Sequence, residues 1–181
     1  MNQKMKNRIY FIGGAKGVGK SSLLNSETIM NYGLEIVNTG EFFNKANKIY
    51  TSNIKKNAKK NMLGYFIRKV PLIADTHYAG FLNGIYGGKF ERGLYQEELE
   101  LLDSNCDLEL VLITLDPKVA LERRKNDSKN QRDFNYDNLK REIEANYLYF
   151  NEYCAQLQKK GTIIEKIDYA VSVKTLDKII K

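Results

Sequence analysis

Short apolar runs alternate with longer amphipathic stretches along most of this chain. The apolar runs have the length of buried strands and predict five of them, at residues 8–13, 34–38, 69–74, 108–115 and 162–167. Strands that are apolar throughout and alternate with helices are typical of a parallel sheet covered on both faces. The pattern therefore predicts an α/β fold built on a doubly wound, five-stranded parallel sheet.

The segments between these runs predict the helices. We expect one helix over 19–32, helical structure in the lysine-rich stretch up to 61, and further helices at 96–102, from 117 into the 120s, over 139–157 and after 172. Gly33 and Gly161 are expected to end two of these helices, because glycine favours the position after a helix. Thr39 and Ser172 are the expected caps of two others.

The loop after the first strand carries a phosphate-binding pattern. Gly14 to Ser21 read G-x-x-x-x-G-K-S at a strand-to-helix junction. Glycines let the backbone N–H groups point inward around phosphates, and the helix that follows adds its positive dipole end. The Lys20 ammonium would reach the β- and γ-phosphates and the Ser21 hydroxyl would hold Mg²⁺, whereas a plain glycine-rich turn would need neither. The expected nucleotide-binding residues are Gly14, Lys16, Gly17, Val18, Gly19, Lys20, Ser21 and Ser22.

Polar residues follow two other predicted strands. Asn38 and Thr39 end the second strand, and Asp75 follows the third. Ligands of such sheets bind outside the carboxyl ends of the strands, where these residues and the glycine-rich loop would meet. Asp75 there would bind Mg²⁺, or would accept the proton of a hydroxyl acceptor; a helix cap is the plain structural alternative. His77, two residues further on, would border the acceptor or serve only in packing.

Three arginines lie within ten residues, at Arg123, Arg124 and Arg132. Phosphoryl transfer places negative charge on equatorial oxygens, which planar guanidinium groups bind in pairs of hydrogen bonds. The alternative is an exposed, ion-paired helix face, since Glu122 and Asp127 are near in sequence.

Charge is concentrated in one segment. The chain has 181 residues, a length that fits one domain, and a formal net charge of +7. Residues 42–70 contain eight basic and no acidic residues, so this segment carries the whole basic excess. It predicts either a solvated helix face or a surface that meets an anion, which could be a phosphorylated substrate or RNA.

The remaining composition narrows the class. Cys106 and Cys154 are far apart in sequence and are typical of reduced thiols in a cytoplasmic protein. The apolar run after the basic N-terminus, at 9–12, is too short for a signal peptide or a membrane span. We therefore expect a cytoplasmic location and no membrane partner.

Taken in order, these motifs resemble those of the archaeal-type adenylate kinases and related small P-loop nucleoside-monophosphate kinases. Residues 12–21 resemble the family's P-loop, and 36–41, Ile-Val-Asn-Thr-Gly-Glu, resemble its V-N-x-G-D/E segment. Residues 74–77, Ala-Asp-Thr-His, resemble its D-T-H. Leu-Asp-Pro at 115–117, followed by Arg123, Arg124 and Arg132, resembles its short lid.

The resemblance implies a P-loop kinase architecture in a single domain over 1–181, with a basic, acceptor-binding helical insertion at 41–68 and a short lid at 122–137. It implies ATP and Mg²⁺ as donor, and transfer of the γ-phosphoryl group to a small phosphorylated acceptor, with a nucleoside monophosphate favoured. A homo-oligomer is compatible with it. The implied catalytic residues are Lys20, Asp75, Arg124 and Arg132; the acceptor residues are Asn38, Thr39, Gly40, Arg68 and His77; and the metal ligands are Ser21 and Asp75.

Two other functions remain open from the sequence. The basic segment from Lys45 to Lys69 is shorter than the family's monophosphate-binding region and offers only lysines and Arg68. An adenylate-kinase-like ATPase acting in RNA or ribosome assembly would use such a segment for backbone phosphates. A GTPase switch is disfavoured, because Asp75 does not begin a D-x-x-G motif and residues 130–133 lack the lysine of N-K-x-D.

Overall fold

A parallel sheet runs through the centre of the part of the chain that the computed structural model describes, residues 7–44, 52–81, 88–126 and 134–181. Its strands are β1 Arg8–Gly13, β2 Glu35–Asn38, β3 Leu72–Asp75, β6 Asp107–Thr114 and β7 Thr162–Glu165, in the order β2-β3-β1-β6-β7. β4 Ala79–Phe81 and β5 Phe90–Arg92 pair antiparallel as a separate ribbon. The predicted doubly wound, five-stranded sheet is confirmed.

Helices cover both faces of this sheet. They are α1 Lys20–Leu24, α2 Glu27–Met30, α3 Gly40–Asn44, α4 Ser52–Lys69, α5 Gln96–Asn105, α6 Pro117–Asn126, α7 Tyr136–Leu157 and α8 Tyr169–Ile180. Alternate residues of β1 enter two separate cores. Ile9 and Phe11 pack with residues of α4, α5 and α7, whereas Tyr10 and Ile12 pack with residues of α1, α2, α6 and α8. The apolar runs are continuous in sequence because both faces of each strand are buried.

Three details at the ends of elements depart from the sequence-based expectation. The helix expected over 19–32 is broken, because Ser26 is extended (φ −66°, ψ 144°) and begins the second helix, α2. The strand expected from residue 69 begins at Leu72, since Pro71 disfavours helical geometry at Val70 and α4 runs up to that point. α7 ends at Leu157, where Gln158 adopts the left-handed conformation (φ 52°) ahead of Gly161.

Two expected caps are made by neighbouring residues. The Asp168 carboxylate accepts the Val171 N–H at 2.9 Å and caps α8, while the Ser172 hydroxyl donates to the Asp168 carbonyl at 2.6 Å. Before α3, the Asn38 side chain accepts the Gly40 N–H at 2.9 Å. The Thr39 hydroxyl donates instead to the Thr76 hydroxyl at 3.2 Å. None of the helices in the described ranges is both long and apolar enough to cross a membrane.

Gly161 is required by close packing between α7 and β7. A Cβ atom there would overlap the ring of Phe150, which is buried, and would lie 2.7 Å from the Cys154 sulfur. We expect Gly161→Ala to lower the free energy of unfolding by about 1–3 kcal/mol, because a buried ring cannot yield without repacking. Urea denaturation measures it. Gly80→Ala is the matched control, since nothing lies within 4 Å of a Cβ there; equal effects would contradict the packing argument.

Candidate active site

The glycine-rich loop between β1 and α1 is drawn tightly across the carboxyl end of the sheet. Gly14 has φ +148° and its hydrogen faces β6, where a Cβ would overlap the Ile113 carbonyl oxygen. Gly19 has φ +94° immediately before α1. Both positions therefore need glycine for the backbone geometry and for the close approach of a neighbour. The loop adopts the compact turn that a phosphate-binding loop requires.

Lys20 lies against the loop that precedes it. Its Nζ donates to the Gly14 carbonyl at 2.8 Å and to the Ala15 carbonyl at 3.3 Å, and the side chain is buried. An ammonium beside the carbonyls of this loop is placed to bind an anion through charge-assisted hydrogen bonds. This placement agrees with the phosphate-binding role that the motif predicts.

Arg124 holds the loop from the other side together with Glu142 of α7. The two side chains form a buried ion pair at 2.7 Å. Arg124 also donates to the Lys16 carbonyl through Nη2 at 2.6 Å, and Glu142 accepts the Lys16 N–H at 2.8 Å. The pair thus binds both polar groups of one loop residue, which makes Arg124 a positioning residue of the loop in this structure.

Glu142 was not among the residues singled out from the sequence. It lies on the buried face of α7 with Leu139, Asn146 and Phe150. Glu142 and Asn146 could have been found in the sequence as a carboxylate and an amide at helical spacing on an otherwise apolar face, because buried polar groups need partners. Asn146 accepts the N–H groups of Tyr78 and Ala79 at 2.9 and 3.2 Å. α7 therefore positions both the glycine-rich loop and the loop after Asp75.

Asp75 ends β3 beside the strand that leads into the glycine-rich loop. Its backbone pairs with Ile12 in the sheet register, and the Thr76 N–H donates to the Ile12 carbonyl at 3.0 Å. Burial raises the pKa of the Asp75 carboxyl, and the Lys20 ammonium opposes that shift. A carboxylate with a raised pKa next to a phosphate-binding loop can bind a metal or accept a proton.

His77 is joined to the glycine-rich loop. Its Nδ1 donates to the Gly14 carbonyl at 2.6 Å, so Gly14 accepts from both His77 and Lys20. Burial, followed by the charges of Lys20 and Lys16, holds the pKa of His77 well below its usual value. The imidazole is therefore neutral at physiological pH, and its other nitrogen is left as an acceptor.

The residues expected to bind the acceptor separate into two groups. Thr39 lies beside Asp75, because its N–H donates to the Asp75 carbonyl at 3.0 Å, and Asn38 and Gly40 flank it. Arg68, by contrast, is near the end of α4, one turn after Tyr65, which bonds the side chain of Glu35 at the start of β2. Arg68 thus lies toward the amino-terminal edge of the sheet, opposite the glycine-rich loop, because α4 runs antiparallel to the strands.

Part of the expected site falls outside the described residues. α6 ends at Asn126 and α7 begins at Tyr136, so the middle of the expected lid and Arg132 lie beyond what the structure describes. The same holds for Lys45 and Lys48 of the basic segment.

The oxygen donors present suit Mg²⁺. Ser21 is the second residue of α1, and Asp75 ends the neighbouring strand. Across the described part of the chain, no group of three or more His, Cys, Asp or Glu side chains could hold a metal. Few protein ligands are what Mg²⁺ needs when phosphate oxygens and water complete its octahedron. The residues therefore fit a metal that arrives with a nucleotide.

The sheet order and the loop after β1 define the P-loop kinase fold, and comparison with solved structures agrees. Shikimate kinase from Acinetobacter baumannii, in complex with shikimate, has a TM-score of 0.60 at 16% identity, with 98% of this chain and 94% of that chain covered. Shikimate kinase from Bacteroides thetaiotaomicron has a TM-score of 0.56 at 16% identity, covering 96% and 98%. A gluconokinase from Sinorhizobium meliloti has a TM-score of 0.56 at 11% identity, covering 98% and 93%.

At these identities the similarity establishes the fold, over nearly the full length of both chains. No protein-family model matches the sequence, and no curated protein matches it significantly. The chain thus has the P-loop kinase fold, and these comparisons do not relate it to the adenylate kinases in particular.

The Arg124–Glu142 pair should show strong coupling in unfolding. Arg124→Met or Glu142→Leu alone leaves an uncompensated buried charge and is expected to cost about 3 kcal/mol. The double variant should cost clearly less than the sum of the two. A double-mutant cycle by denaturant unfolding measures this, and the exposed Lys140–Glu144 pair of the same helix, at 3.9 Å, is the control. Additive effects at 124 and 142 would contradict the pair.

Protonation of His77 should oppose folding. Below its ordinary pKa of 6.5 the unfolded chain binds a proton that the folded chain does not, so stability falls with pH by at most about 1.4 kcal/mol per pH unit. We expect the stability of the wild type relative to His77→Asn to decrease between pH 7.5 and 5.5. His77 is the only histidine, so no other imidazole titrates in this range. The contributions of the carboxylates to the pH dependence are common to both proteins and cancel in the difference. A constant difference would show that the folded histidine titrates normally.

Proposed function

We propose that this protein is an ATP-dependent phosphotransferase that passes the γ-phosphoryl group of ATP to a small acceptor. The observation that carries the proposal is the placement of the Lys20 ammonium on the Gly14 carbonyl, in a loop that starts next to Asp75. A cation, a phosphate-binding backbone and a carboxylate with a raised pKa are then gathered at one edge of the sheet. These are the groups that phosphoryl transfer needs for charge stabilisation and positioning.

The donor would be held by the P-loop backbone and by Lys20, with Ser21 and Asp75 as the ligands of Mg²⁺. The metal, when bound, supplies charge neutralisation to the phosphate oxygens. Glu142 and Arg124 keep the loop in place by binding the backbone of Lys16. The neutral His77 fixes the Gly14 carbonyl without adding charge beside Lys20.

The acceptor would lie between Asp75, Thr39 and His77. An acceptor with a hydroxyl group is supported best, because Asp75 could accept its proton and burial raises the pKa of Asp75 toward that of a useful base. The neighbours in fold that are named shikimate kinase and gluconokinase are consistent with a small-molecule acceptor. A nucleoside monophosphate, favoured by the sequence, is less well supported, since Arg68 lies toward the opposite edge of the sheet.

A second candidate is an ATPase that acts with RNA, and one observation favours it. Arg68 and Lys69 lie at the end of α4 that is remote from the P-loop, and with Lys56 and Lys60 they are exposed. Lys59 is instead paired with Glu98 of α5 at 3.1 Å. Exposed basic residues along a whole helix, including its end away from the reacting groups, suit a partner with many phosphates better than they suit a small acceptor.

The deciding experiment is ADP production from ATP and Mg²⁺ with three sets of additions. These are nucleoside monophosphates, hydroxyl-bearing metabolites such as sugar and cyclic hydroxy acids, and structured RNA. A phosphorylated product from one small acceptor establishes the phosphotransferase. Stimulation by RNA alone, lost as salt rises from 50 to 200 mM as in other phosphate-backbone contacts, would put the second candidate first. No ADP above the rate without enzyme would exclude both.

Lys20→Met should lower kcat by at least about 10²-fold, because the ammonium stabilises the transferred group more than the ground state. Circular dichroism and thermal unfolding are expected to show a folded protein, since the Lys20 ammonium donates to carbonyls of the glycine-rich loop and does not belong to the apolar cores. Lys178→Met, an exposed change on α8, is the control. Wild-type kcat in Lys20→Met would refute the assignment.

A further inference from the structure

Lys166 brings a second ammonium to the P-loop from the far side of the sheet. It follows β7, and its backbone N–H donates to the Thr114 carbonyl of β6 at 2.9 Å, which fixes the start of the side chain. The side chain runs over Gly19, where a Cβ would overlap Nζ. Nζ donates to the Gly19 carbonyl at 3.1 Å and to the Ser22 hydroxyl. Because Gly19 has no side chain, it leaves room for the end of the Lys166 side chain.

The ammonium of Lys166 is met by neutral groups in the described residues, among them the ring of Tyr169, whose centre lies 5.5 Å from Nζ. Lys166 is buried, its two acceptors are neutral, and the described part of the chain offers no carboxylate within ion-pair distance. The positive charge of Arg123, a half-buried residue whose Nη1 is buried without a hydrogen-bond partner in the described structure, also acts on Lys166. Burial, followed by Arg123, lowers the pKa of Lys166. Buried cations of like sign side by side are costly unless an anion joins them.

We propose that Lys166 is a ligand of the donor nucleotide and that its ammonium binds the phosphate nearest the nucleoside, with Arg123 adding to the positive field there. This inference rests on the proposed function. The site is built into the loop, because Ser22 and Gly19, which Lys166 contacts, belong to the phosphate-binding segment.

The order of contacts along the loop assigns the phosphate. Lys20 bonds the carbonyls of Gly14 and Ala15, at the start of the loop, whereas Lys166 bonds Gly19 and Ser22, at its end. If Lys20 serves the β- and γ-phosphates, Lys166 is left beside the phosphate that carries the ribose. Its contact then forms equally with ATP and with ADP, and it contributes binding energy that is uniform along the reaction.

The test is the affinity of Lys166→Met for Mg·ADP and for a non-hydrolysable ATP analogue, measured by titration calorimetry. Methionine keeps the length and apolar stem and removes the charge. We expect both dissociation constants to rise about tenfold, a size typical of one charge-assisted hydrogen bond to phosphate, with kcat nearly unchanged. Lys178→Met, which removes an exposed lysine of α8, is the matched control and should bind as the wild type does.

A measurement on the unsubstituted protein keeps the inference testable if Lys166→Met folds poorly. In protein labelled with ¹⁵N-lysine, the Nζ resonance of Lys166 should shift on addition of Mg·ADP, while that of Lys178 should not. Unchanged affinity in Lys166→Met, an unmoved Lys166 resonance, or a loss confined to the ATP analogue would each overturn the inference and leave the proposed function standing. If the wild type bound neither nucleotide, the proposed function itself would fail.

Discussion

The need to satisfy the backbone polar groups of one buried loop organises this end of the molecule. Three residues of the P-loop bond side chains from distant segments: Gly14 accepts from His77, Lys16 bonds Arg124 and Glu142, and Gly19 accepts from Lys166. A buried N–H or C=O group without a partner is costly. Each of these hydrogen bonds therefore fixes the position of the side chain as well as that of the loop. The loop therefore assembles residues of α6 and α7, and residues that follow β3 and β7, around itself.

Charge within this assembly is strongly one-sided. The loop is met by Lys20, Arg124 and Lys166, while Glu142 neutralises Arg124 and the pKa of His77 is depressed. The pKa of His77 is depressed first by burial of the imidazole and then by the charges of Lys20 and Lys16, which a further positive charge would repel. The folded chain without nucleotide is thus loaded with positive potential at the carboxyl edge of the sheet, where phosphates would compensate it.

The sequence predicted the architecture well because two of its signals are local. Apolar runs located all five strands of the sheet, and the G-x-x-x-x-G-K-S spacing located the loop. The position of Arg68 toward the other edge of the sheet could not be predicted, because the sequence does not reveal that α4 runs away from the loop. Glu142 and Lys166 were missed because each acts through a contact more than 120 residues away in the chain. The break at Ser26 was invisible to periodicity, since the apolar pattern continues across it.

The side chains that hold the P-loop and the residues expected to contact the acceptor come from different parts of the chain. Apart from His77, the side chains from other segments that hold the P-loop come from residues 124–166, whereas the expected acceptor contacts come from residues 38–77. Substitutions in the earlier stretch, other than at His77, would therefore leave the side chains that hold the P-loop unchanged.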